Sequence, residues 1–82
     1  MNMLSKILEQ YPDEPFLFAD GFDDAVIGFE ENTGRLIYSV EKCLEILRKN
    51  MSHEDAVEHF LYNVHGSYVG EKTPIWCHDC LQ

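Results

Sequence analysis

The residues best suited to chemistry are gathered in Trp76-Cys77-His78-Asp79-Cys80. A W-C-x-x-C pair can work as a redox dithiol when its first thiol has a lowered pKa at a helix N-terminus inside a βαβ unit. Only Leu81 and Gln82 follow Cys80 here, too little for that helix, so dithiol catalysis is set aside. Zinc is the better use of the same residues. Cys77 and Cys80 would supply thiolates, and His78, or one of His53, His59, His65 and Cys43, would complete a tetrahedral set. No second C-x-x-C accompanies the first, and a frayed terminal tail over residues 77–82 is the simpler reading. The acidic loop Asp20–Asp24 could hold a hard divalent cation through oxygen ligands, yet it lacks the order of an EF-hand loop. Turn-forming aspartates explain it more simply.

Nucleophilic and acid–base chemistry fare no better. Cys43 is the one thiol outside the C-terminal stretch, on the apolar side of its segment, where cysteine behaves as an inert small hydrophobe. Asp55 and His59 lie one helical turn apart and could orient an imidazole, but an ordinary surface pair uses the same spacing. No glycine-rich phosphate cradle is present. The residues point away from catalysis and toward no obligatory cofactor.

Charge narrows the partners. Fifteen Asp and Glu against six Lys and Arg leave a formal charge of −9. Such a surface repels phosphate backbones and anionic lipid, so direct nucleic-acid or membrane binding is not expected. It suits a protein partner with a basic face, or, less simply, mimicry of nucleic acid, for which the carboxylates are too scattered. No run reaches the length of a membrane span, and residues 1–11 lack the continuous apolarity of a secretory leader. Three cysteines, an odd count, fit a reducing cytoplasm better than a disulfide framework.

The elements that must position these groups follow from spacing. Met3, Leu4, Ile7, Leu8 and Tyr11 predict a helix over 2–11, closed by Pro12. Phe16–Ala19 is a short apolar run read as a short strand. Ala25–Glu30 and Arg35–Ser39 read as a hairpin joined by Glu31-Asn32-Thr33-Gly34, with Ile37 implying cover on both faces. Ser39 caps a helix over 40–49, with Val40, Cys43, Leu44 and Leu47 inward. Ser52 caps the next helix, whose buried stripe is Ala56, Val57, Phe60, Leu61 and Val64 and whose stop is Gly66. Tyr68-Val69 is extended, and Thr73–Cys77 is a closing strand that Pro74 places at a sheet edge. The 82 residues, 45% hydrophobic, therefore predict a single α+β domain over 1–76, a small antiparallel sheet packed against three helices.

Two side chains fit that core poorly. Tyr62 falls opposite the buried stripe of its helix, and Ile46 falls away from the stripe of the preceding one. Together with Glu45, Asp55 and Glu58 they predict an exposed apolar pair in an acidic surround, suited to a basic protein partner. Homodimerisation is a rival use of the same patch, opposed by like charge.

Three segments also carry a resemblance: Ala19-Asp20-Gly21-Phe22-Asp23-Asp24-Ala25-Val26-Ile27-Gly28, Met51-Ser52-His53-Glu54-Asp55-Ala56, and Asn63-Val64-His65-Gly66-Ser67-Tyr68-Val69-Gly70-Glu71-Lys72-Thr73-Pro74-Ile75. They resemble a family of small, functionally uncharacterised proteins of tailed bacteriophages and prophages. The chain departs from that pattern at Ser67, where alanine is usual, and in its Cys77–Cys80 stretch. The resemblance implies an accessory protein in the cytoplasm of an infected bacterium and brings no catalytic residues. The resulting expectation is a non-catalytic protein that binds a host or phage protein, with metal binding through Cys77/Cys80 or Asp20–Asp24 as the alternative.

Overall fold

A computed structural model describes residues 2–65 and 70–79. Asn2 opens the first helix: its Oδ1 accepts from the Ser5 N–H at 2.8 Å, so α1 runs Met3–Gln10. Leu4 and Ile7 are its buried residues. The same Asn2 donates through Nδ2 to Asp24 Oδ1 at 3.1 Å, tying the acidic loop to the start of α1.

Phe16–Ala19 forms no strand. Phe16 is buried, and the Ala19 N–H is satisfied by the Tyr38 hydroxyl oxygen at 2.8 Å. A side chain thus replaces the ladder partner that a strand would need. A 3-10 turn at Asp23–Ala25 then leads into β1, Val26–Glu30, which pairs antiparallel with β2, Arg35–Ser39. The register runs from Glu30 opposite Arg35 to Val26 opposite Tyr38, with a shift between Val26 and Gly28. The expected hairpin loop is built from its own residues. Gly34 has φ +70°, a left-handed conformation that glycine adopts without strain. The Glu30 carboxylate accepts from the Thr33 hydroxyl and N–H, each at 2.6 Å, and from the Asn32 N–H at 3.1 Å. Those bonds, the Thr33 hydroxyl first, hold its pKa below the ordinary carboxylate range.

Ser39 ends β2 and caps α2, Val40–Leu47, accepting from the Lys42 N–H at 3.1 Å. Ser52 caps α3, His53–Phe60, accepting from the Asp55 N–H at 3.2 Å. Both caps match the sequence reading. Beyond Phe60 the helix widens into a π turn, Leu61–His65. The expected Gly66 stop and the extended Tyr68-Val69 lie outside the described residues.

β3, Ile75–Cys77, completes the sheet in the order β1-β2-β3 and forms its edge after Pro74. The fold is α+β, as read from the sequence, but the sheet is mixed: Ile37 pairs with Ile75 and Ser39 with Cys77 in parallel. A parallel neighbour requires a crossover of a dozen or more residues, which the α2–α3 connection supplies. The expected boundary at residue 77 also moves. Cys77 is a strand residue, and Ser39 Oγ donates to Asp79 Oδ1 at 2.6 Å, so the domain is continuous through Asp79.

The helices cover the sheet. α1 packs on β1 and on the 3-10 turn, and α2 packs on β2, on that turn and on α3. Leu36, Tyr38, Ala25, Cys43 and Ala56 are wholly enclosed. Phe60 and Trp76 meet edge to face, ring centres 5.4 Å apart, and Trp76 also lies 5.2 Å from Tyr38, joining β3 to both α3 and β2.

Candidate protein-interaction surface

The π turn decides the geometry of the surface. A helix that widens to i→i+5 bonding shifts the phase of the residues that follow, and such turns occur often at functional sites. Tyr62 is 79% exposed, as its position on the helical wheel predicts, but Leu61 is 52% exposed although the regular period places it in the core. Val64 stays half-buried against the core. Two neighbouring large apolar side chains therefore stand in solvent where the sequence predicts one.

Around Tyr62 lies a shallow depression of about 550 Å³ lined by Met51, Asp55, Glu58, His59 and Asn63. Asp55 and Glu58 are exposed carboxylates on α3, so Tyr62 has the predicted acidic flank. His59 Nδ1 faces Asn63 Nδ2 at 3.4 Å and makes no ion pair with Asp55 among the described residues, which leaves no oriented imidazole–carboxylate pair.

Two expected members belong elsewhere. Ile46 is half-buried and packs against the core. Because α2 touches both the sheet and α3, its apolar arc is wider than a single-sided stripe and reaches Ile46 on its flank. Glu45 is exposed on α2 but does not line the Tyr62 depression. The candidate surface is thus Tyr62, Asp55 and Glu58, with Met51 also lining it and exposed Leu61 next to Tyr62 in the chain, rather than a patch shared by α2 and α3. Leu61 is the residue that sequence reasoning missed, since a change from α to π winding leaves no mark in hydrophobic periodicity.

The other candidates are placed as follows. Cys43 is fully buried and its thiol is pushed up to about 12 by burial, which keeps it protonated and unreactive at neutral pH. Cys77 is a half-buried strand residue and His78 is exposed, while Cys80 lies outside the described residues. Among the described residues no three His, Cys, Asp or Glu side chains converge as a metal site would require, the Asp20–Asp24 loop included. No described helix is long and apolar enough to cross a membrane.

Comparison with protein-family models, curated proteins and solved structures gave no match to this chain.

Proposed function

We propose that this protein acts by binding a protein partner with a basic surface, through the face formed by α3 and the π turn. The observation that carries the reading is Tyr62, exposed in a depression that Asp55 and Glu58 also line, with Leu61, the residue before it, exposed as well. A few anchors, tyrosine prominent among them, that become desolvated on docking supply most of the free energy in typical interfaces. Carboxylates around them speed encounter with a cationic partner and choose its sign. The charge of −9 extends that attraction to long range. The resemblance to small phage proteins supports an accessory role in an infected bacterial cytoplasm, directed at a host or phage protein.

Capture from bacterial lysate with wild type, Leu61→Ser/Tyr62→Ala and Asp55→Lys/Glu58→Lys tests this. Both double variants should lose the bound protein, and wild-type capture should weaken as salt rises. Recovery of the same protein by all three baits would refute the surface. Light scattering of the wild type separates self-association from a foreign partner. A dimer that disperses in the Leu61→Ser/Tyr62→Ala variant would assign the face to a second copy instead.

A further inference from the structure

Tyr62 is the most exposed large hydrophobic side chain among the described residues. It shares its depression of about 550 Å³ with Asp55 and Glu58, with Met51, and with His59 and Asn63. Asp55 and Glu58 stand three positions apart on α3 and are therefore neighbours on its surface. An aromatic ring, two carboxylates and a thioether side chain thus border one hollow.

Neither carboxylate is engaged within the chain. Among the described residues the side chains of Asp55 and Glu58 make no hydrogen bond or ion pair. Arg48, the guanidinium just ahead of α3, is held instead by Glu41 Oε1 at 3.0 Å and faces His53 Nδ1 at 3.1 Å. No Lys or Arg lines the depression. Its two negative charges are therefore open to a cation from another molecule.

We infer that this depression receives an arginine side chain of the partner, its guanidinium laid on the Tyr62 ring and its N–H groups donated to Asp55 and Glu58. The inference rests on the function proposed above and specifies the cation that the partner presents. The ring decides between the two basic side chains. A guanidinium is flat and weakly hydrated, so it can stack on an aromatic face while the donors at its rim reach carboxylates beside that face. An ammonium is compact and strongly hydrated; it answers the two charges but gains little from the ring. The methylene stem of the arginine would lie along Met51, as long cationic side chains cover apolar surface with their stems. Contact of a cation with an exposed ring should favour arginine over lysine by about two- to fivefold in affinity.

Titration of 15N-labelled protein with acetyl-Gly-Arg-Gly-amide and acetyl-Gly-Lys-Gly-amide, at equal ionic strength, tests this. The arginine peptide should move the amides of Asp55, Glu58 and Tyr62 saturably, at about two- to fivefold lower concentration than the lysine peptide. Tyr62→Phe should keep that difference and Tyr62→Ala should abolish it, and the exposure of the side chain makes both variants compatible with folding. Equal midpoints for the two peptides in the wild type overturn the arginine assignment. If Asp55→Lys/Glu58→Lys then removes the shifts of both, the acidic face of the proposed function still stands. A preference for arginine that survives Tyr62→Ala overturns the inference too, because the ring would not be its source. Shifts of similar size at remote carboxylates such as Glu9 and Glu31, both exposed, overturn it as unspecific attraction. Absence of shifts at Asp55, Glu58 and Tyr62 with either peptide also overturns it, and the lysate capture alone then decides whether the face binds a protein.

Discussion

Replacing Ser39 by alanine removes two bonds made by one oxygen. Ser39 Oγ accepts from the Lys42 N–H at 3.1 Å, capping α2, and donates to Asp79 Oδ1 at 2.6 Å, fastening the chain beyond β3. The residue is fully buried, so no water replaces the lost oxygen. Loss of an N-cap costs about 1 kcal/mol. A hydrogen bond to a charged group contributes about 1.5–3 kcal/mol, and the lower end applies because Asp79 is exposed and can regain water. The expected total is about 2–2.5 kcal/mol, which lowers the melting temperature of a domain of this size by roughly 10–20 °C. Urea titrations of wild type, Ser39→Ala, Asp79→Ala and the double variant would resolve the two contributions, since the cycle isolates the pairwise term. The coupling between Ser39 and Asp79 should reach about 1 kcal/mol or more. A total loss below about 0.5 kcal/mol, the range of an ordinary surface substitution, would refute the assignment of both roles to Ser39.

Further outcomes follow from the same packing. Phe60→Ala should cost roughly 3 kcal/mol or more by urea titration, because the ring is 2% exposed and lies edge-on to Trp76. Gly34→Ala should cost about 1–2 kcal/mol, since φ +70° strains any residue with a Cβ; an unchanged urea midpoint would remove the glycine from the hairpin argument. Stability should fall as pH rises from about 9 toward about 12. The unfolded chain releases the Cys43 proton near its ordinary pKa, whereas the folded chain holds it until about 12, and buried Tyr38 is raised in the same direction. Cys43→Ala should flatten the onset of that decline in urea midpoints measured at successive pH values. Truncation after Trp76 should destabilise the domain by removing Cys77 from β3 and Asp79 from Ser39, and an unchanged melting temperature would restore the view of 77–82 as a loose tail.

What could be read from sequence was local. Ser39 and Ser52 act as caps because a side-chain oxygen placed before an apolar run has an unpaired N–H three residues on. The hairpin was legible for a similar reason, with Asn32 and Gly34 between alternating segments. Relations between elements were less legible. The direction of β3 depends on how far the chain travels through α2 and α3, and alternation within a strand does not encode direction. Phe16–Ala19 has strand-like residues, but the acceptor for its Ala19 N–H is the hydroxyl of Tyr38, distant in sequence. Ile46 was misplaced because its helix has two packing partners, and Leu61 because its backbone leaves α geometry. The acidic setting of Tyr62 was legible from Asp55 and Glu58, whereas the packing of Trp76 on Tyr38 and Phe60 joins three remote segments that no local pattern connects.

The parallel placement of β3 has a consequence for where the sheet opens first. Glu30 and Arg35, partners in the hairpin, are five positions apart, whereas Ile37 and Ile75 are thirty-eight apart. By loop-closure entropy the second pairing costs about 2 kcal/mol more to close, and it is repaid by a strand of only three residues. β3 is therefore a favoured place for the native fold to open locally while the hairpin stays closed. When it opens, Trp76 leaves the rings of Tyr38 and Phe60. Opening of β3 and unfolding of the whole domain are then separate equilibria, visible as faster amide exchange at Ile75–Cys77 than in the hairpin.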